Sequence, residues 1–189
     1  MRHPDRGYND RASDGFDPMR RGHGKLKGSR NERRLCRELS LLVSNGKRDD
    51  LLWRSAMSGG TATTARKRGN LKAAMAGDVS SIDPRSHWLV RDWYIEAKHY
   101  GDLQIIRSFL NNRGRLYRFW VHTVKEARHY NKKPMLLAKQ DRVSEILVVT
   151  RGTKMQGTLV MTLPDWDADV YLFEGIRLVA PKRRVRIEE

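Results

Sequence analysis

The fold is decided by the stretch from Gly77-Asp78-Val79 through Ile82-Asp83-Pro84 to Trp93-Tyr94-Ile95-Glu96-Ala97-Lys98. It reads as two strands joined by a turn, with the second strand running from Trp88 to Lys98. Side chains alternate along a strand, so Glu96 and Lys98 share one face while Ala97 points to the other. The strand is otherwise aromatic and apolar, which sets its acid on a buried element. An acid on the first strand and an acid and an amine on the second make a cluster suited to holding a divalent cation and a water beside a phosphate.

Two aspartates compete for the first position. Asp78 follows a glycine and precedes a β-branched residue, as an acid at a strand start does. Asp83 stands before Pro84, where turn formation accounts for it. Asp78 is the preferred reading and Asp83 the alternative. By itself Glu-x-Lys has a plain structural explanation, a solvated strand face with cross-strand charge pairs. The neighbouring acid and the charge of the whole chain favour chemistry.

That charge is large. The 189 residues carry 38 Lys and Arg against 22 Asp and Glu, a formal net charge of +16, with a sequence pI near 10.5. Such a balance favours a polyanionic partner, though charge does not separate binding a nucleic acid from cutting it. Mean hydropathy is −0.71. No run approaches the roughly 20 apolar residues of a membrane helix, and the N-terminal residues hold no apolar segment resembling a secretory signal. The single cysteine, Cys36, excludes a disulfide framework and a multi-cysteine zinc site. The expected setting is the cytoplasm, with no membrane association.

Residues 1–27 are rich in Arg, Asp and Gly and are read as a disordered basic arm. A helix is expected from Ser29, with Ser29 as N-cap and Glu32 completing a capping box. Leu35, Leu39, Leu42 and Val43 form its apolar stripe, and Gly46 stops it. Leu51–Arg54 suggests a first strand, followed by a small, Gly-rich and finally basic loop. Beyond Asp102, a helix with Leu103, Ile106 and Leu110 on one face is expected, then a break at Asn111–Gly114. A second helix is expected from Leu116 to about Tyr130. Strands follow at Met135–Lys139, Ile146–Thr150, Leu159–Leu163 and Val170–Phe173, and residues 181–189 form a basic tail. The order predicts an α/β fold, a mixed central sheet flanked by helices. One domain spans 28–180, with a core at 28–140 and a C-terminal extension of extra strands at 141–180. His87, His99, His122 and His129 match no ligand spacing. Trp120, Trp166 and Tyr171 are read as core.

Asp78 followed by Glu96-x-Lys98 resembles the PD-(D/E)xK nuclease superfamily, with Gly77 where the motif nominally has proline. Lys27-Gly28-Ser29-Arg30-Asn31-Glu32-Arg33 is similar to the opening of archaeal-type Holliday junction resolvases, whose first helix supplies a glutamate to the metal site. Ser55–Gly59 looks like that family's loop after the first strand, and Leu136-Leu137-Ala138-Lys139 like its apolar strand ending in lysine. The resemblance covers about 27–140. The loop between Trp53 and Asp78 is longer and more basic than the family pattern, and the last 40-odd residues exceed its compact core.

The resemblance implies a restriction-endonuclease-like core and metal-assisted phosphodiester hydrolysis. Asp78, Glu96, Glu32 and the backbone carbonyl of Ala97 would ligate Mg2+, with Mn2+ as substitute, and Lys98 would assist electrostatically. It further implies paired nicking of branched or duplex DNA by a homodimer, in recombination and repair. Arg66, Lys67, Arg68 and Lys72 in the basic loop, Ser58 before them, and Arg30 and Arg33 on the first helix, with Arg37 beyond, are the candidate DNA contacts. A restriction-type or other structure-specific nuclease, and a non-catalytic nucleic-acid-binding protein, are the alternatives.

Overall fold

The computed structural model describes residues 21–55 and 76–178. Helix α1 (Arg21–Val43) leads into β1 (Leu52–Arg54) and β2 (Val79–Ser81), an antiparallel pair in which Leu52 faces Ser81. A 3-10 turn (Pro84–Ser86) and the short α2 (His87–Asp92) precede β3 (Trp93–Tyr100). Helices α3 (Ile105–Asn111) and α4 (Arg115–His129) carry the chain to β4 (Lys133–Gln140), and β5 (Ile146–Thr150), β6 (Leu159–Leu163) and β7 (Ala168–Leu172) complete the order.

The main sheet has five strands in the order β3-β4-β5-β7-β6. β3 and β4 are parallel, Glu96 opposite Leu136 and Lys98 opposite Ala138, and the remaining pairs are antiparallel. Parallel neighbours need a crossover, and α3 and α4 provide it. The expected α/β architecture with a mixed sheet is what forms.

Alternation sorts the core into two layers. Ile95, Ala97, Met135, Leu137, Leu147 and Val149 meet Leu35 and Leu39 of α1 on one face. Leu136, Ala138, Ile146 and Val148 meet Leu116 and Trp120 of α4 on the other. β4 is covered on both sides, which is why its sequence is a continuous apolar run. Trp120, Trp166 and Tyr171 are buried, as expected of core residues. No helix among the described residues is long and apolar enough to cross a membrane.

Several local expectations are corrected. α1 begins at Arg21, so Ser29 lies inside the helix and forms no capping box. The helix formers Lys25, Leu26 and Lys27 carry it across Gly28. The stretch from Trp88 to Lys98 is not all strand. Asp83 accepts a hydrogen bond from the Arg85 backbone N–H, Pro84 occupies the first turn, and α2 fills the space up to Trp93. β2 and β3 therefore form no simple hairpin. Leu103 is buried, but Ile106 and Leu110 are 74 % and 77 % exposed. Gln104, at φ +53°, breaks the helical phase between Leu103 and α3, so Ile105 and Phe109 turn inward instead. The C-terminal strands extend the sheet, supplying β5, β7 and β6 beyond β4.

Candidate active site

β3 is the edge strand of the five-stranded sheet, and the residues before β2 dock against its free edge. The Asp78 N–H donates to the Ile95 carbonyl at 2.8 Å, and the Ser55 N–H donates to the Asp78 carbonyl at 2.9 Å. This approach demands glycine at 77. Gly77 has φ +94°, and a Cβ there would lie 2.7 Å from the Ile95 carbonyl oxygen. A proline is excluded outright, because its ring fixes φ near −65°.

Held this way, the Asp78 carboxylate reaches β3 itself, where Oδ2 accepts the Ala97 N–H at 2.8 Å. A strand residue directs its N–H and C=O to the same edge, so the Ala97 carbonyl faces Asp78's side and not the β4 ladder. Glu96 and Lys98 lie on the α4 face of the sheet. The Lys98 ammonium bonds Glu96 Oε1 and stands 3.9 Å from Asp78 Oδ2. The Tyr94 hydroxyl, two residues back on the same face, donates to Glu96 Oε2 at 3.2 Å. The Lys98 Nζ also sits over the Phe119 ring of α4, 5.7 Å from its centroid.

Both carboxylates are buried, Asp78 at 7 % and Glu96 at 6 % exposure. Burial, and then the charge of Glu96, push the Asp78 carboxyl up to about 7, against the opposing pull of Lys98. Burial works against the Lys98 ammonium, but Glu96 and Asp78 outweigh it and hold its pKa above the ordinary lysine value. Lys98 is therefore a cation at neutral pH and not a base.

Glu32 projects from α1 and pairs with Arg54 of β1, Nε to Oε2 at 3.0 Å. Its charge still reaches the cluster, adding to the upward shift of Asp78. Asp83 is elsewhere, bonded to Arg85 at 2.7 and 2.8 Å, which holds its carboxyl well below the usual range. The structure thus sets Asp78, not Asp83, beside Glu96. Arg30 and Arg33, with Arg37 and His99, line a groove of about 790 Å³ along α1. His99 faces away from Lys98 and pairs with Asp141 at 2.7 Å. Ser58, Arg66, Lys67, Arg68 and Lys72 lie outside the described residues.

Two site residues escaped the sequence reading. Tyr94 was detectable, since it alternates with Glu96 and Lys98 along one strand. The pairing of Arg54 with Glu32, which are 22 positions apart, had no local signal.

Among the described residues, no three or more His, Cys, Asp or Glu side chains are gathered closely enough to hold a metal ion as they stand. The donor set nevertheless fits a hard divalent cation. Two buried carboxylates whose mutual repulsion raises a pKa are oxygen donors with excess negative charge, and a third acid lies within electrostatic range.

The family model described as "Phage putative PDDEXK endonuclease" matches residues 23–177. The chain belongs to this family, within the PD-(D/E)xK nucleases. The match takes in the C-terminal strands as well as the region of the acids. No curated protein and no solved structure matches the chain.

Proposed function

We propose that this chain is a Mg2+-dependent endodeoxyribonuclease, with Mn2+ as an alternative metal, and that its substrate is the four-way DNA junction. The observation that carries the proposal is the convergence of Asp78, Glu96 and Lys98 on the free edge of β3.

In this reading Asp78, Glu96, Glu32 and the Ala97 carbonyl would hold the cation. The cation supplies Lewis acidity and offsets charge on the phosphate. The chain's own groups do the positioning. The Ala97 N–H fixes one oxygen of Asp78, and Tyr94 fixes one oxygen of Glu96. Lys98, held protonated, stabilises negative charge that develops on the scissile phosphate. The Gly28–Arg33 segment supports junctions as substrate through its likeness to resolvases. Paired symmetric nicks call for two related sites, hence a homodimer.

The test uses wild type, Asp78→Asn and Lys98→Ala on four-way, forked and linear duplex DNA, with Mg2+ and with EDTA. Paired nicks in the junction are expected from wild type with Mg2+ alone, while both variants bind without cutting. Cleavage of linear duplex at one sequence would favour a restriction-type enzyme. Binding without metal-dependent cleavage of any substrate would remove the catalytic reading.

A further inference from the structure

Helix α3 joins the strand that carries Glu96 and Lys98 to α4, and it leaves two large aliphatic side chains in solvent. Ile106 and Leu110, one helical turn apart, are the most exposed of the large hydrophobic residues described. Inward-facing Ile105 and Phe109 already satisfy the packing of α3, so the fold does not need the outer pair.

Their surroundings are predominantly basic, with Asp102 just before α3 and Asp165 against Asn112 as the neighbouring acids. From Leu103 to Lys125 the sequence contains no Asp or Glu. Arg107, Arg113, Arg115 and Arg118 are all exposed. Arg115 is held in place, donating to the Asp102 carbonyl at 3.2 Å and lying over the Tyr100 ring. Arg107, Arg113 and Arg118 make no ion pair among the described residues.

An exposed apolar pair on an arginine-rich segment has two candidate occupants, a second copy of the chain or a nucleic acid. In a two-fold interface the patch meets itself, which would bring arginine rim against arginine rim. A polyanion meets the same rim with opposite charge. The patch also borders the site, since Phe119 of α4 carries Lys98 and Tyr100 ends β3.

We propose that the outer face of α3 is a DNA-docking surface for the branch point. Arg107, Arg113 and Arg118 hold phosphates, and Ile106 and Leu110 seat on base faces where the stack is interrupted. Aliphatic side chains that reach those faces in intact duplex must first unstack the base steps, a cost that is least where the stack is already interrupted. The proposal rests on the nuclease reading above and adds a determinant of substrate structure to it.

Two variants test it, Ile106→Ser/Leu110→Ser and Arg107→Ala/Arg113→Ala/Arg118→Ala, each in full-length protein. Binding to four-way and linear DNA is measured in Ca2+ across a salt series, with oligomeric state followed by analytical ultracentrifugation. All five positions are exposed, and unchanged circular dichroism and Tm establish that the variants are folded. The arginine variant is expected to flatten the salt dependence by about one unit for each phosphate it no longer holds, on both DNAs. The serine variant is expected to keep the slope and to prefer the junction about tenfold less, in line with the usual cost of disturbing recognition at one base pair. Unchanged slope and preference would overturn the proposal. So would conversion of a dimer to monomer by the serine variant, which would assign the patch to self-association. Loss of cutting by Asp78→Asn, measured separately, tells failure of this surface from failure of the nuclease reading.

Discussion

At the scale of residues, the site is two buried acids that repel and one amine that partly neutralises them. The pH dependence follows from Asp78. Its carboxyl titrates near 7 when folded, against an ordinary value of about 3.9 in the unfolded chain. Between those values the folded state binds more protons at Asp78, so its contribution to metal-free stability is fully present below about pH 4 and is lost as pH rises towards 7. Thermal melts in EDTA across this window should show wild type losing stability relative to Asp78→Asn as pH rises. Wild-type and variant melting temperatures that change in parallel over the same range would contradict the assignment. Glu96 and Lys98 were legible in the sequence, because a period of two along a strand fixes which side chains share a face, and Asp78 was preferred over Asp83 on its flanking residues. Glu32 was legible only in part. Its place on α1 follows from the sequence, but its partner Arg54 comes from β1, and no spacing rule connects them.

At the scale of elements, the decisive contact is the docking of Gly77-Asp78 on the edge of β3. Gly77→Ala would set a Cβ against the Ile95 carbonyl at a backbone angle that L residues rarely adopt. The expected cost is about 1–3 kcal/mol, read as a lowered denaturation midpoint, together with weakened cleavage. Wild-type stability in this variant would show that the two backbones stand further apart at this point. Strand positions read well from sequence here, as Ile146–Thr150 and Leu159–Leu163 form within the bounds their composition suggests. Helix phase read less well. The left-handed backbone at Gln104 shifts which side chains of α3 face inward, and its local sequence gives no glycine to mark the break. α2 was missed for a related reason. Asp83-Pro84 signals a turn and a helix start equally, and six residues are too few for a period to appear.

At the scale of the whole molecule, the sheet is one cooperative unit. β4 buries both faces, and β5 and β7 continue both core layers beyond it. A division after residue 140 would expose Leu136, Leu137 and Ala138 along a bare edge. A chain ending at Gln140 should therefore lack a cooperative thermal transition and aggregate, as judged by circular dichroism and light scattering. A folded, monomeric fragment would contradict this and support a self-sufficient core at 28–140. The mixed architecture itself was legible, because the alternation of helical and strand periods survives any error in boundaries. The role of the last strands was not, since short apolar runs do not reveal which neighbour they pair with.

Direct metal titration tests the proposal that Asp78 and Glu96 jointly hold a divalent cation, without depending on the choice of DNA substrate. Mn2+ binding, followed by electron paramagnetic resonance and calorimetry, is expected to be saturable in wild type and at least about tenfold weaker in both Asp78→Asn and Glu96→Gln. Equal affinity in the wild type and both variants would contradict it.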